Sequence, residues 1–225
     1  MPPAKTIENT AVLVLAGGGG TRLGGVIKAN LKIEGKSLFD RVANNVGRIE
    51  GPHILSIGNM PKQRFSVPQK WILLHDLKTG HKSDVKGPLA GIAAGVCHIR
   101  QHAKNTRYML SVAVDSPFFP GLFTKLALDS IENERDVVVA SFGGQIYPTN
   151  ALWRLKAIKD LPEEVESLAK YGIKGLLRKI RVKELALDEY FSDNPCQNLN
   201  DITDIARIND RARSVTLKTV KKDVD

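Results

Sequence analysis

An α/β fold built on a mostly parallel, doubly wound sheet is what this 225-residue sequence predicts. Three observations carry the prediction. Through the first half, apolar runs of strand length alternate with segments of helical periodicity, the pattern of consecutive βαβ units. The first run, Ala11–Ala16, opens into a glycine-rich stretch, and later runs close on Asp76 and Asp115, so polar chemistry gathers at strand ends, where open α/β sheets place ligands. Finally, Gly143-Gly144 separates the strand-like Asp136–Ser141 from a short returning run, Gln145–Pro148, which sets one antiparallel strand beside the parallel ones.

Taken in order, Met1–Thr10 reads as a loose arm without an apolar signal core. After the glycine stretch, Leu38, Val42, Val46 and Ile49 recur at helical spacing, and Ser37 stands where a helix cap belongs. His53–Ile57 and Trp71–Leu74 read as the next strands. Pro88 opens a segment rich in Gly and Ala, either a helix packed closely on the sheet or one whose positive end also faces the ligand. Tyr108–Val114 is a further strand. In the second half, helical patterns are read over Leu152–Leu161, Val165–Lys170 and Ile173–Lys179, a strand over Val182–Leu187 and a last helix over Ile202–Asp210. With 42% hydrophobic residues, the chain suffices for a single domain over 1–225, with 1–9 and 219–225 as flexible ends.

Composition narrows the chemistry. A net charge of +9 suits anionic ligands, but the cations are scattered and aromatics make up only 6%, so neither a nucleic-acid motif nor a stacking platform is present. Cys97 and Cys196 form no metal-ligand spacing, no apolar run reaches the ~18 residues a bilayer span needs, and a reducing cytoplasm is the expected setting. The central motif runs from Leu15 to Lys28. It lacks the lysine a P-loop requires after Gly24, and the frames from Gly17 and Gly18 end on Arg22 and Leu23, so it is not the dinucleotide fingerprint. What remains, Leu-Ala-Gly-Gly-x-x-x-Arg-Leu-Gly-Gly-x-x-Lys, combines bare backbone with the fixed charges of Arg22 and Lys28, the means to hold a polyphosphate. Asp115, ahead of Ser116-Pro117, reads from position alone as either a Mg²⁺ ligand or a turn residue.

This motif resembles that of the nucleotidyltransferases that activate sugars and cofactors, most closely the molybdenum cofactor guanylyltransferases. Further blocks follow in that family's order: Gly87-Pro88-Leu89-Ala90-Gly91, Asp115-Ser116-Pro117-Phe118-Phe119-Pro120, Pro148-Thr149 ahead of Ala151-Leu152, and Asn198-Leu199-Asn200. The resemblance implies a Rossmann-like three-layer α/β/α nucleotidyltransferase fold. It implies that Leu15, Ala16, Gly17 and Gly18 contact the nucleotide, Gly18 favouring a purine, while Lys28 and Arg22 hold its phosphates. Asp76 matches the guanine-site aspartate and Asp115 the Mg²⁺ ligand. Pro148, Asn198 and Asn200 fall at the molybdopterin side.

The chain departs from the family pattern at Ile27, where an acidic residue is usual, and at Ile57, where an asparagine often stands, with Asn59 as its substitute. Asp201-Ile202 replaces the usual Thr-Pro. The implied reaction is GTP-dependent guanylyl transfer to molybdopterin with Mg²⁺ as cofactor, and either a molybdoenzyme or a cofactor-insertion protein as recipient. Two alternatives stay open: a nucleotidyltransferase for another acceptor or base, such as a sugar phosphate or molybdopterin with CTP, and a relative that binds GTP or cofactor without turnover.

Overall fold

The computed structural model describes residues 7–18, 26–78, 87–131, 134–167, 172–199 and 204. Its centre is a seven-stranded sheet formed by β1 (Thr10–Leu15), β4 (His53–Ser56), β5 (Trp71–Leu74), β6 (Tyr108–Ala113), β7 (Val137–Phe142), β8 (Gln145–Arg154) and β9 (Val182–Ala186), in the order β5-β4-β1-β6-β8-β7-β9. β5, β4, β1 and β6 pair in parallel, β8 runs antiparallel to both neighbours, and β9 is parallel to β7. A two-stranded hairpin, β2 (Lys32–Ile33) with β3 (Lys36–Ser37), stands apart from this sheet.

The strand period of two divides the core into two layers. Val12 and Val14 of β1 pack on one side with Leu38, Phe39 and Val42 of α1 (Leu38–Val46) and Phe123 of α3 (Leu122–Ser130). Ala11 and Leu13 face the other way, against Leu89, Ile92 and Val96 of α2 (Pro88–His102), Leu161 and Val165 of α4 (Leu161–Ser167) and Leu176 of α5 (Ile173–Leu177). The result is the three-layer α/β/α sandwich expected. α1 is capped as anticipated: Ser37 Oγ accepts from the Asp40 N–H at 3.0 Å and Asp40 reaches back to Ser37, a capping box. α2 lies so close to the sheet that a Cβ on Gly95 would stand 3.0 Å from Leu13 Cδ2.

One expectation fails in the second half. Leu152–Leu161 is not one helix: β8 continues to Arg154, a 3₁₀ turn occupies Leu155–Ile158, and α4 begins at Leu161. β8 lies between β6 and β7, so Ala151, Leu152 and Trp153 are all fully buried, and a short continuous apolar run does not distinguish strand from helix by period. The helix α3 has no counterpart in the sequence reading. The final helix expected over residues 202–210 falls, apart from Asp204, outside the described residues.

Candidate active site

β1 is followed by crossovers toward β4 on one side and, through β5 and α2, toward β6 on the other. The strand order therefore reverses between β1 and β6. A crevice opens at such a point, beyond the carboxyl ends of the strands. Here it is a cavity of about 650 Å³, walled by Leu15, Ala16, Gly17 and Gly18 after β1, by Gly58, Asn59 and Met60 after β4, by Asp76–Lys78 after β5, by Gly87 ahead of α2 and Pro88 and Gly91 within it, and by Asp115, Thr149 and Asn198 at the far end.

Neither Gly17 nor Gly18 has a positive φ, so left-handed backbone is not why glycine stands at these two positions. Gly17 is required by close approach: a Cβ there would lie 2.9 Å from the Gly58 nitrogen and 3.2 Å from Asp76 Oδ2. Gly58 does adopt the left-handed conformation, at φ 61°. It also orders the next strand end, since its carbonyl accepts from the Asp76 N–H at 3.2 Å and lies 3.1 Å from His75 Nδ1. Asp76 is wedged between Gly17 and Gly91, whose Cβ positions would each stand 3.2 Å from one of its oxygens. The Ser56 hydroxyl donates to Asp76 Oδ1. Burial pushes this carboxyl above the ordinary aspartate range, against the lowering effect of the Ser56 and Gly58 hydrogen bonds and the nearby His75.

At the other end, Lys28 Nζ reaches Asp115 Oδ2 at 2.9 Å and donates to the Leu199 carbonyl at 2.7 Å. Leu199 N–H in turn donates to the Asp115 carbonyl at 2.9 Å, which docks the Asn198-Leu199 segment on the turn that ends β6. Both side chains of the ion pair are largely covered, at 15% and 18% exposure, so the pair is only weakly screened. Asp115 Oδ1 has no hydrogen-bond partner among the described residues.

β8 carries a bulge beside this turn. Its partners on β7 step from Val139↔Ala151 directly to Ala140↔Tyr147, leaving Pro148, Thr149 and Asn150 as extra residues. A bulge also accommodates a proline that no regular inner strand would accept. Asn150, fully buried, uses Oδ1 to accept from the Ala113 N–H at 2.9 Å, replacing a ladder partner at the end of β6. Its Nδ2 donates to Ser116 Oγ at 3.1 Å, and Ser116 Oγ donates to Asn198 Oδ1 at 2.8 Å.

The structure thus gathers Leu15, Ala16, Gly17, Gly18, Lys28, Asn59, Asp76, Asp115 and Asn198 around one cavity. Pro148 is partly buried on β8 and does not border the cavity, which its neighbour Thr149 does. Arg22, Asn200 and the 79–86 segment lie outside the described residues. The substituted positions Ile27 and Ile57 are both buried in the core. Ser56 and Asn150 are site residues that the local sequence does not single out. A serine closing an apolar strand gives no signal until the next strand end is placed beside it, and Asn150 is visible only as a polar residue interrupting the apolar end of β8.

Residues 12–185 match the MobA-like NTP transferase domain. A molybdenum cofactor guanylyltransferase from Bradyrhizobium sp. (strain ORS 278) is 27% identical over 205 residues, spanning 88% of this chain and 94% of its own. One from Acidiphilium cryptum (strain JF-5) is 31% identical over 198 residues, with 86% and 90% covered. The fold is shared with the molybdopterin-guanine dinucleotide biosynthesis protein A of Archaeoglobus fulgidus, at a TM-score of 0.67 and 21% identity over 91% of this chain and 99% of that one. With the family's domain covering most of the sequence and its cavity at the switch point of the sheet, the chain belongs to the MobA-like NTP transferase family.

Proposed function

We propose that this protein transfers the guanylyl group of GTP to the terminal phosphate of molybdopterin, forming the guanine dinucleotide cofactor and releasing pyrophosphate. The observation that carries the reading is the arrangement of the cavity: a carboxylate at one end, and a lysine paired to a second carboxylate at the other. In the reaction, an oxygen of the molybdopterin phosphate attacks the GTP α-phosphorus as the bond to the β-phosphate breaks. The barrier is largely repulsion between anions, so the protein supplies alignment and positive charge rather than a covalent nucleophile.

Asp76 is the guanine-recognising group. An ionised carboxylate accepts from both the ring N–H and the exocyclic amino group of guanine, and offers nothing to adenine at those positions. Each such charge-assisted hydrogen bond is worth about 1.5–3 kcal/mol, so losing one costs roughly ten- to a hundredfold in affinity. Leu15 to Gly18 pass under the nucleoside, with Gly17 keeping the backbone flush against Gly58, and Asn59 borders the same side. Lys28, and Arg22 from the glycine loop, hold the triphosphate. Asn198, with Asn200 and the β8 bulge through its cavity-facing Thr149, serves the molybdopterin phosphate.

Asp115 suits Mg²⁺, which takes few carboxylates and completes its shell with water and phosphate oxygens. No cluster of three His, Cys, Asp or Glu residues occurs among the described residues, so a metal held here would rely on the substrate for further ligands. When bound, the ion neutralises charge on the reacting phosphates. Lys28 then serves the phosphates from beside it, its ammonium placed by the Leu199 carbonyl.

Ile27 and Ile57 are the departures that favour a binder without turnover. Both side chains pack in the core cluster with Val14 and Val112, and Lys28 and Asp115 remain facing the cavity. Another acceptor or base stays distinguishable by experiment. The deciding measurement is pyrophosphate release with GTP, CTP, ATP and UTP in turn, with Mg²⁺, with and without molybdopterin. Release confined to GTP and dependent on molybdopterin is expected. Release with a different base or acceptor moves the assignment within the superfamily, and tight GTP binding without release supports the carrier.

A further inference from the structure

We propose that Asn150, acting through Ser116, fixes the direction of the Asn198 amide, so that the acceptor end of the cavity presents an N–H donor to a phosphate oxygen of the molybdopterin acceptor. Asn150 and Ser116 are positioning residues in this scheme, which rests on the reading above for the identity of the acceptor.

The direction of the relay follows from one group that can only donate. The Ala113 N–H is a backbone donor, so the Asn150 atom 2.9 Å from it is the carbonyl oxygen Oδ1. The Asn150 NH₂ therefore faces Ser116 Oγ, 3.1 Å away, and donates to it. Ser116 is fully buried and its hydroxyl carries a single hydrogen. That hydrogen is satisfied only if the Asn198 atom 2.8 Å away is an acceptor, which makes it Oδ1. With the opposite orientation of Asn198, Ser116 Oγ would face two amide donors and leave its own O–H buried without a partner.

Burial pushes the Cys196 thiol up to about 12, against the lowering effect of the neighbouring Asn150 side chain. It stays a neutral thiol and brings no charge to bear on either assignment.

The consequence lies at the end of the chain of bonds. With Oδ1 held by Ser116, the Asn198 Nδ2 has no partner among the described residues, and Asn198 borders the cavity beside Asp115. The same turn is secured a second time, because Leu199 N–H donates to the Asp115 carbonyl at 2.9 Å. The donor is thus delivered next to the carboxylate assigned to the metal. An outward amide hydrogen selects ligand oxygens with free lone pairs, as on a phosphate ester, and disfavours a ligand that presents its own donor there.

Two independent readouts test this on the full-length protein. In ¹⁵N-labelled protein, with the signals assigned by substitution, the Asn150 side-chain NH₂ is expected to exchange slowly with water and that of Asn198 rapidly. Equal protection of the two would overturn the relay, whatever the activity. In steady-state kinetics with GTP and molybdopterin, Ser116→Ala and Asn150→Leu are expected to raise the KM for molybdopterin roughly tenfold, with the KM for GTP within about twofold. A parallel rise in both KM values would mean that these residues only maintain the fold, and would overturn the proposal.

Asn198→Asp is the polarity control and remains informative if Asn150→Leu does not fold. It keeps the acceptor toward Ser116 but turns an anionic oxygen to the cavity, so it must weaken molybdopterin more than Asn198→Ala does. Equal or tighter binding by Asn198→Asp refutes the outward donor. If wild-type protein releases no pyrophosphate from GTP with molybdopterin, the functional reading fails, and the exchange measurement alone decides the relay.

Discussion

Gly17→Ala tests the view that the first strand end is shaped by close packing rather than by backbone freedom. The added Cβ would meet the Gly58 nitrogen at 2.9 Å and Gly58 Cα at 3.0 Å, so one backbone must retreat by about 0.5 Å to reach the 3.4 Å where ordinary contact begins. Neither side yields easily. Ala16 N–H is bonded to the Ser56 carbonyl at 2.8 Å and Ile57 N–H to the Leu74 carbonyl at 2.9 Å. Overpacking of this kind costs about 1–3 kcal/mol. For a chain of this size 1 kcal/mol moves Tm by roughly 2–4 °C, so a loss of about 2–12 °C is expected by calorimetry. Because the same Cβ would crowd Asp76 Oδ2 at 3.2 Å, the KM for GTP should rise as well. Gly18→Ala is the control: among the described residues nothing lies within 4 Å of its Cβ position, and its Tm should stay within about 1 °C of wild type. Equal Tm values and equal GTP affinity for the two variants would refute the reasoning.

Asp115→Ala is expected to abolish metal-dependent pyrophosphate release while far-UV circular dichroism is unchanged; full turnover in that variant would remove Asp115 from the chemistry. Since burial holds the Asp76 carboxyl above its ordinary 3.8, GTP affinity should fall on acidification sooner than an exposed aspartate would dictate, a trend readable from KM against pH and absent in Asp76→Asn. The stability effect has the opposite sense. The contribution of Asp76 is fully present below 3.8 and is lost as pH rises through the raised value, so denaturation midpoints should shift in favour of Asp76→Asn across that window. Asp136, held below its ordinary range by the Arg181 fork at 2.9 and 3.1 Å, ties the start of β7 to the start of β9. With Arg181 57% exposed, Asp136→Ala should cost no more than about 1 kcal/mol, a loss that disappears as acid protonates the wild-type carboxyl; a larger loss, or one independent of pH, would contradict the assignment.

Much of the site was legible in local sequence because its parts are backbone devices at strand ends. The glycine loop after β1, the aspartates closing β5 and β6, and Pro88 at the head of α2 announce themselves through composition and spacing alone. The first-half strands and α1 were likewise legible, since their periodicity and the capping pair Ser37 and Asp40 are properties of consecutive residues. The extent of β8 was not, because burial on both faces erases the alternation that marks a strand.

Ser56 beside Asp76, the Gly17–Gly58 contact and the Asn150–Ser116–Asn198 relay join residues 20, 41, 34 and 82 positions apart. Local sequence determined the strand ends and the charges they carry. Only the folding of the sheet decided which end faces which, because hydrogen-bond direction and van der Waals contact exist between groups that tertiary structure alone brings within 3 Å or so of one another.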